Sequence, residues 1–179
     1  MITQKDLIKQ NERPYSSTQK LTMTAMFIAL NIVLNQITIP IGTTIEIGFA
    51  FLPIAIMAYL FGPVRAGGAA IFADIFGFFL RPNGFFFPGF TLNMGIAAAI
   101  YGIFLYKKPV TLKRVAITVL VVDIIVSLIL TPIWLNIMYQ TNLFAIPRVI
   151  KTIILYPINV GLLYSNLTFV HQFFGKKNR

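Results

Sequence analysis

The sequence predicts an all-α integral membrane protein, six transmembrane helices with both termini in the cytoplasm, and three observations carry that prediction. First, the 179 residues are 57% hydrophobic and only 11% charged, with a mean hydropathy of +0.79. A soluble domain of this size needs far more surface charge. Second, the apolar residues gather into runs near the roughly 20 residues that cross about 30 Å of hydrocarbon. Third, twelve of the fifteen Lys and Arg residues fall in alternate polar segments, leaving only Arg81, Arg148 and Lys151 for the other side. That asymmetry puts the richer side in the cytoplasm.

Residues 1–20, MITQKDLIKQNERPYSSTQK, are mostly polar and carry acidic residues foreign to the n-region of a signal peptide. They read as a cytoplasmic tail ahead of a retained first span. The spans are predicted at 21–39, 47–61, 64–80, 88–106, 115–135 and 147–170. Turn-rich or polar breaks separate them at Pro40-Ile41-Gly42, Gly62-Pro63, Arg81 to Gly84, Lys107-Lys108-Pro109 and Asn136 to Ile146. The second span is short and is predicted to share its load with loop 39–47. Residues 21–170 then form one membrane domain, and residues 171–179 a basic cytoplasmic tail. The net charge of +10 reflects topology and contact with anionic lipid rather than a nucleic-acid footprint.

Several chemistries are excluded. The chain has no cysteine, and His171 is its one histidine, so no metal site, catalytic residue or cofactor is assigned. No phosphate-binding glycine loop, HExxH or nucleophile elbow occurs. A chain this small without a nucleotide site cannot power ATP-driven transport alone.

The candidate site lies at the outward end. Arg148 and Lys151 stand three apart on one face of the last span if Pro147 opens it. They admit two readings: snorkelling to outer headgroups, or gripping a carboxylate or phosphate beside the positive end of the helix dipole. Arg81 and Asn83 lie in a second outward loop, RPNGFFFPGF, whose Phe87 and Phe90 suit an aromatic platform. Thr91 and Asn93 follow in the first turns of the next helix, and Trp134, Asn136 and Tyr139 close the fifth span similarly. Glu46, in the outward loop after the first span, can accept from an amine or amidine-like group, or pair with Arg81 or Arg148. Asp74 and Asp123 sit within spans, where an unpaired charge is costly, and are assigned hydrogen-bonded packing roles. Ala25 and Ala29 form a small-xxx-small face on the first span.

Four blocks, LTMTAMFIALNIVL, FAFLPIAIMAYLFGPVRAGGAAIFADIFGFFL, NGFFFPGFTLNMGIAAAIYGIFLY and PRVIKTIILYPINVGLLY, resemble the S components of energy-coupling factor (ECF) transporters. The resemblance runs from about residue 20 to 170 and is nearest the folate family. It implies a subunit that captures a vitamin from outside a bacterial-type plasma membrane. Such a subunit associates with a transmembrane coupling subunit and two ATPases, and delivers its cargo by toppling. It further implies that Ala25 and Ala29 meet the coupling subunit. The ligand is then held by the loops after spans one, three and five and by the starts of spans four and six. Glu46 departs from the pattern, standing where folate binders of the family usually carry a basic residue. The same family serves pyridoxine and the hydroxymethylpyrimidine of thiamine. Folate comes first because Arg81, Arg148 and Lys151 suit a dicarboxylate tail. Two rivals remain: a self-sufficient proton-coupled secondary transporter using Asp74 and Asp123, and a structural membrane subunit whose outward polar groups are belt residues.

Overall fold

The computed structural model describes residues 16–41, 45–80, 85–140 and 146–176. Helix α1 (Ser17–Leu34) begins at a capping box. The Ser16 hydroxyl accepts from the Gln19 N–H at 3.2 Å, and the Gln19 side chain accepts from the Ser16 N–H at 3.0 Å. Two donors that a helix start leaves open are thereby satisfied, and the helix starts four residues before the predicted 21.

After α1 the structure departs from the predicted spans. Strands β1 (Thr38–Ile41) and β2 (Ile45–Gly48) pair antiparallel, with Ile39 opposite Ile47 and Pro40 opposite Glu46. Isoleucines at 37, 39 and 41, then 45 and 47, alternate at the period of a strand. Pro40 also lacks the N–H that a continuing helix needs. The first span therefore ends at Leu34 rather than 39, and the second starts at Phe51 rather than 47.

Helix α2 (Phe51–Phe61) is left with 11 residues, about 16 Å at 1.5 Å per residue, too short to cross a bilayer. It has no need to. Every residue from Leu52 to Leu60 is buried, and α2 packs against α1, α3, α4 and α6. Gly62 then turns the chain at a φ of +85°, a conformation costly for a residue with a Cβ. Pro63 opens α3 (Pro63–Leu80), where its missing N–H is not required.

Helices α3 and α4 (Pro88–Leu105) cross at short range. A Cβ on Gly102 would overlap Pro63, meeting its nitrogen at 2.5 Å, and one on Gly95 would meet the Ile71 side chain at 2.9 Å. Ala66, Gly67, Ala69, Ala70 and Ala73 line the α3 side of the bundle core. The small residues of both helices thus serve internal packing.

Helix α5 runs from Leu112 to Tyr139, longer at both ends than the predicted 115–135. Its middle, Asp123–Leu130, is wound as a π-helix between α-helical stretches Leu112–Val122 and Thr131–Tyr139. Helix α6 (Ile146–Lys176) has 31 residues and carries Pro157 inside. It continues beyond the predicted 170, and the Tyr59 hydroxyl lies 2.9 Å from His171 Nδ1 there. The lone histidine ties α6 to α2. Among the described residues, α3, α4, α5 and α6 are individually long and apolar enough to cross a membrane.

The α3–α4 crossing gives a stability prediction. Gly102→Val should destabilise the purified protein by about 1–3 kcal/mol, the range for overpacking a tight contact. Gly68→Ala, where an added Cβ meets nothing within 4 Å, should cost nothing. Thermal unfolding in detergent checks both, and equal midpoints for the two variants would contradict the crossing.

Candidate substrate-binding site

One end of the bundle holds a cavity of about 340 Å³, bounded by the end of α1, the second half of α3, the start of α4 and the end of α5. The basic-residue asymmetry places this end outside. Just past α1 come Asn35 and Gln36; from α3 come Asp74, Gly77 and Phe78. Phe85, Phe86, Phe87 and Phe90 approach with the start of α4, and Leu135, Met138 and Tyr139 with the end of α5.

Local chemistry fixes each wall. Asn31 is 3% exposed and donates from Nδ2 to the Ala50 carbonyl at 2.6 Å, holding the end of α1 against the start of α2. Asp74 accepts from the Thr91 hydroxyl at 2.6 Å, which joins α3 to α4 across the cavity wall. Phe87 is extended ahead of Pro88, and its ring lies 5.8 Å from both Phe90 and Trp134. Gly89 is needed beneath that pair, because a Cβ there would overlap the Phe87 ring and meet Trp134 Cδ2 at 2.6 Å.

Behind the aromatic wall runs a hydrogen-bonded chain. Trp134 Nε1 donates to Asn93 Oδ1 at 2.9 Å, and Asn93 Nδ2 donates to Thr131 Oγ1 at 3.1 Å. The Thr131 hydroxyl donates in turn to the Val126 carbonyl at 2.7 Å. Buried polar groups in apolar surroundings need such partners. The chain clamps the indole against Phe87.

Of the residues singled out in the sequence, Phe87, Phe90 and Tyr139 line the cavity. Thr91 reaches it through Asp74, while Asn93 and Trp134 stand behind the wall. Asn136 accepts the Gln140 N–H through its backbone carbonyl and does not line the cavity. Arg148 and Lys151 are half-buried near the start of α6 and are also not among the lining residues. Arg81 and Asn83 lie outside the described residues, as does the side chain of Glu46. Ala25 and Ala29 are exposed along α1.

Sequence reasoning assigned Asp74 to packing; the structure makes it both a packing partner of Thr91 and the carboxylate of the cavity. Besides Leu135 and Met138, the sequence reading omits Asn35, Gln36, Gly77 and Phe78. Their signal was the polar pair closing the first apolar run, and the helical spacing that sets Asp74, Gly77 and Phe78 on one face. Asp123 has no role there, and its buried Oδ2 has no hydrogen-bond partner among the described residues. Among the described residues the cavity is lined by phenylalanine and tyrosine rings together with Asn35, Gln36, Leu135 and Met138, and Asp74 is its carboxylate. The cavity suits a flat ring compound whose edge presents N–H donors.

Comparison with known proteins gives the family. A family model described as "ECF transporter, substrate-specific component" matches residues 19–175. A folate transporter FolT from Clostridium novyi (strain NT) is 36% identical over 143 residues, covering 79% of this chain and 83% of that protein. Another FolT, from Leuconostoc mesenteroides subsp. mesenteroides, is 35% identical over 160 residues, covering 84% and 85%. A crystal structure of FolT bound with folic acid matches with a TM-score of 0.75 at 39% identity, over 83% of this chain and 92% of that one. On a match that runs through the six described helices, this chain belongs to the family of ECF transporter substrate-specific components.

Proposed function

We propose that this chain captures folate outside a bacterial plasma membrane and hands it to a coupling subunit driven by two separate ATPases. The observation that carries the reading is the Asp74 carboxylate, held by Thr91 inside an aromatic slot, in a chain similar to proteins called folate transporters. The pterin ring of folate is flat, and one edge carries a ring N–H beside an amino group. Two parallel donors of that kind match the two oxygens of a carboxylate, while Phe87, Phe90 and Tyr139 offer ring faces.

A cavity of about 340 Å³ is at the small end of ligand pockets, roughly 300–1,000 Å³. It suits the pterin better than the whole vitamin. In this reading the glutamate tail leaves the cavity and is met by Arg148 and Lys151, which stand near the start of α6. Pyridoxine and hydroxymethylpyrimidine lack that dicarboxylate and would leave these cations unused. The exposed Ala25 and Ala29 give α1 a face that another helix backbone can approach, which is where the coupling subunit docks in this reading.

Two ligands separate the ends of the site. Folic acid and pteroic acid share the pterin, but only folic acid has the glutamate. Asp74→Asn should weaken both by about ten- to a hundredfold, the equivalent of losing a charge-assisted hydrogen bond. Arg148→Gln should weaken folic acid alone. Calorimetric titration of the detergent-purified subunit reads both, and an Asp74→Asn variant of unchanged affinity would sink the ring assignment.

Docking and energetics have their own tests. Ala25→Leu and Ala29→Leu should lower uptake by the assembled transporter while the solitary variants bind folic acid normally. Normal uptake in both would return the alanines to lipid contact. Proteoliposomes holding this subunit alone should equilibrate folic acid without concentrating it. Accumulation under a pH gradient would instead revive the secondary-transporter reading.

A further inference from the structure

The exposed ridge along α5 changes step in the middle of the helix. It runs through Ile117, Leu120 and Ile124, then through Ile129, Ile133 and Ile137. Within each half the steps are three or four residues, as an α-helix requires, but the step from Ile124 to Ile129 is five. The irregular step falls inside the π-helical segment Asp123–Leu130. Continued at α-helical period from Ile124, the same ridge would pass through Leu128, Thr131, Leu135 and Met138. Leu135 and Met138 are two of the three α5 residues that line the cavity. A regular helix of this sequence would turn them outward, to lipid.

We infer that the π segment is a register device that aims the outer end of α5 into the cavity, and that Thr131 is its positioning residue. The backbone N–H of Thr131 goes to the Val126 carbonyl, five residues back, and its hydroxyl donates to the same oxygen at 2.7 Å. That hydroxyl also accepts from Asn93 Nδ2 at 3.1 Å, which fixes the wide turn against α4. Pro132 follows. Its ring would press on the Leu128 carbonyl in an α-helix, and it has no N–H to offer. The α register is thus opposed at Pro132 and the π register is held at Thr131. A π segment near a functional site has this kind of use elsewhere. Here it spends one extra residue to keep the inner half of α5 packed while the outer half faces the cavity.

The inference concerns the cavity whatever ligand occupies it, so its test begins without one. The chain has no cysteine, and Met138→Cys supplies a single thiol in the cavity wall. A small water-soluble maleimide should label it in an otherwise native chain and in Thr131→Ser, which keeps the hydroxyl. Labelling should be lost in Thr131→Val/Pro132→Ala, where the helix can relax to the α register and carry the thiol to lipid. Deleting Leu128 from that double variant removes the extra residue and should restore labelling. If the double variant does not accumulate, Thr131→Ala/Pro132→Ala carries the same comparison, with and without the deletion. Unchanged labelling in the variant overturns the inference, as does labelling that is lost and not regained on deletion. Folic acid titrated against the same set should bind in step with labelling. Failure of the native chain to bind folic acid would count against the folate reading, and the labelling result would still decide the register.

Discussion

Where α3 and α4 cross, Gly102 rests against Pro63 and Gly95 against Ile71, with no room for a Cβ at either position. The cavity depends on that approach. It brings Thr91 to 2.6 Å from Asp74, so a carboxylate set in an apolar helix has a hydrogen-bond donor from its neighbour. Without such a partner a charge at this depth is expensive. It also fixes the direction in which α4 starts, and with it the phenylalanines that precede and follow Pro88. Close packing at one end of a helix pair thus becomes placement of a polar group and four phenylalanine rings at the other.

A second constraint comes from the backbone. Chain inside or near a bilayer must satisfy its own N–H and C=O groups. Between α1 and α2 it does so with a hairpin, Thr38–Ile41 paired to Ile45–Gly48, instead of extending either helix. The short α2 is the consequence, and it is tolerated because protein surrounds it from Leu52 to Leu60. A helix that never meets lipid does not have to be as long as the bilayer is thick.

Much of this was legible in the sequence, and the failures have physical reasons. The long helices were visible because a bilayer demands long apolar runs, and Pro88 and Gly62-Pro63 mark their ends. The hairpin was not, because its isoleucines merge with the flanking apolar runs when only run length is weighed. Phe87, Phe90 and Tyr139 were legible as outward aromatics. Asp74 was visible as an acid within a span, yet depth alone does not say whether an acid faces a cavity or a neighbouring helix. Leu135 and Met138 were hidden for another reason. Their facing depends on a π turn, and extrapolating an α-helical period past Ile124 sends them the wrong way. Arg148 and Lys151 were prominent in the sequence, and the structure sets them near the start of α6 without making them part of the cavity wall.

The central claim is that this cavity holds the pterin of a folate. Native mass spectrometry of the subunit, purified from cells after mild detergent extraction, tests it most directly, because it weighs what stays bound. The account predicts one retained molecule per chain with a mass in the folate class. A retained compound without a pterin, such as pyridoxine, would contradict it.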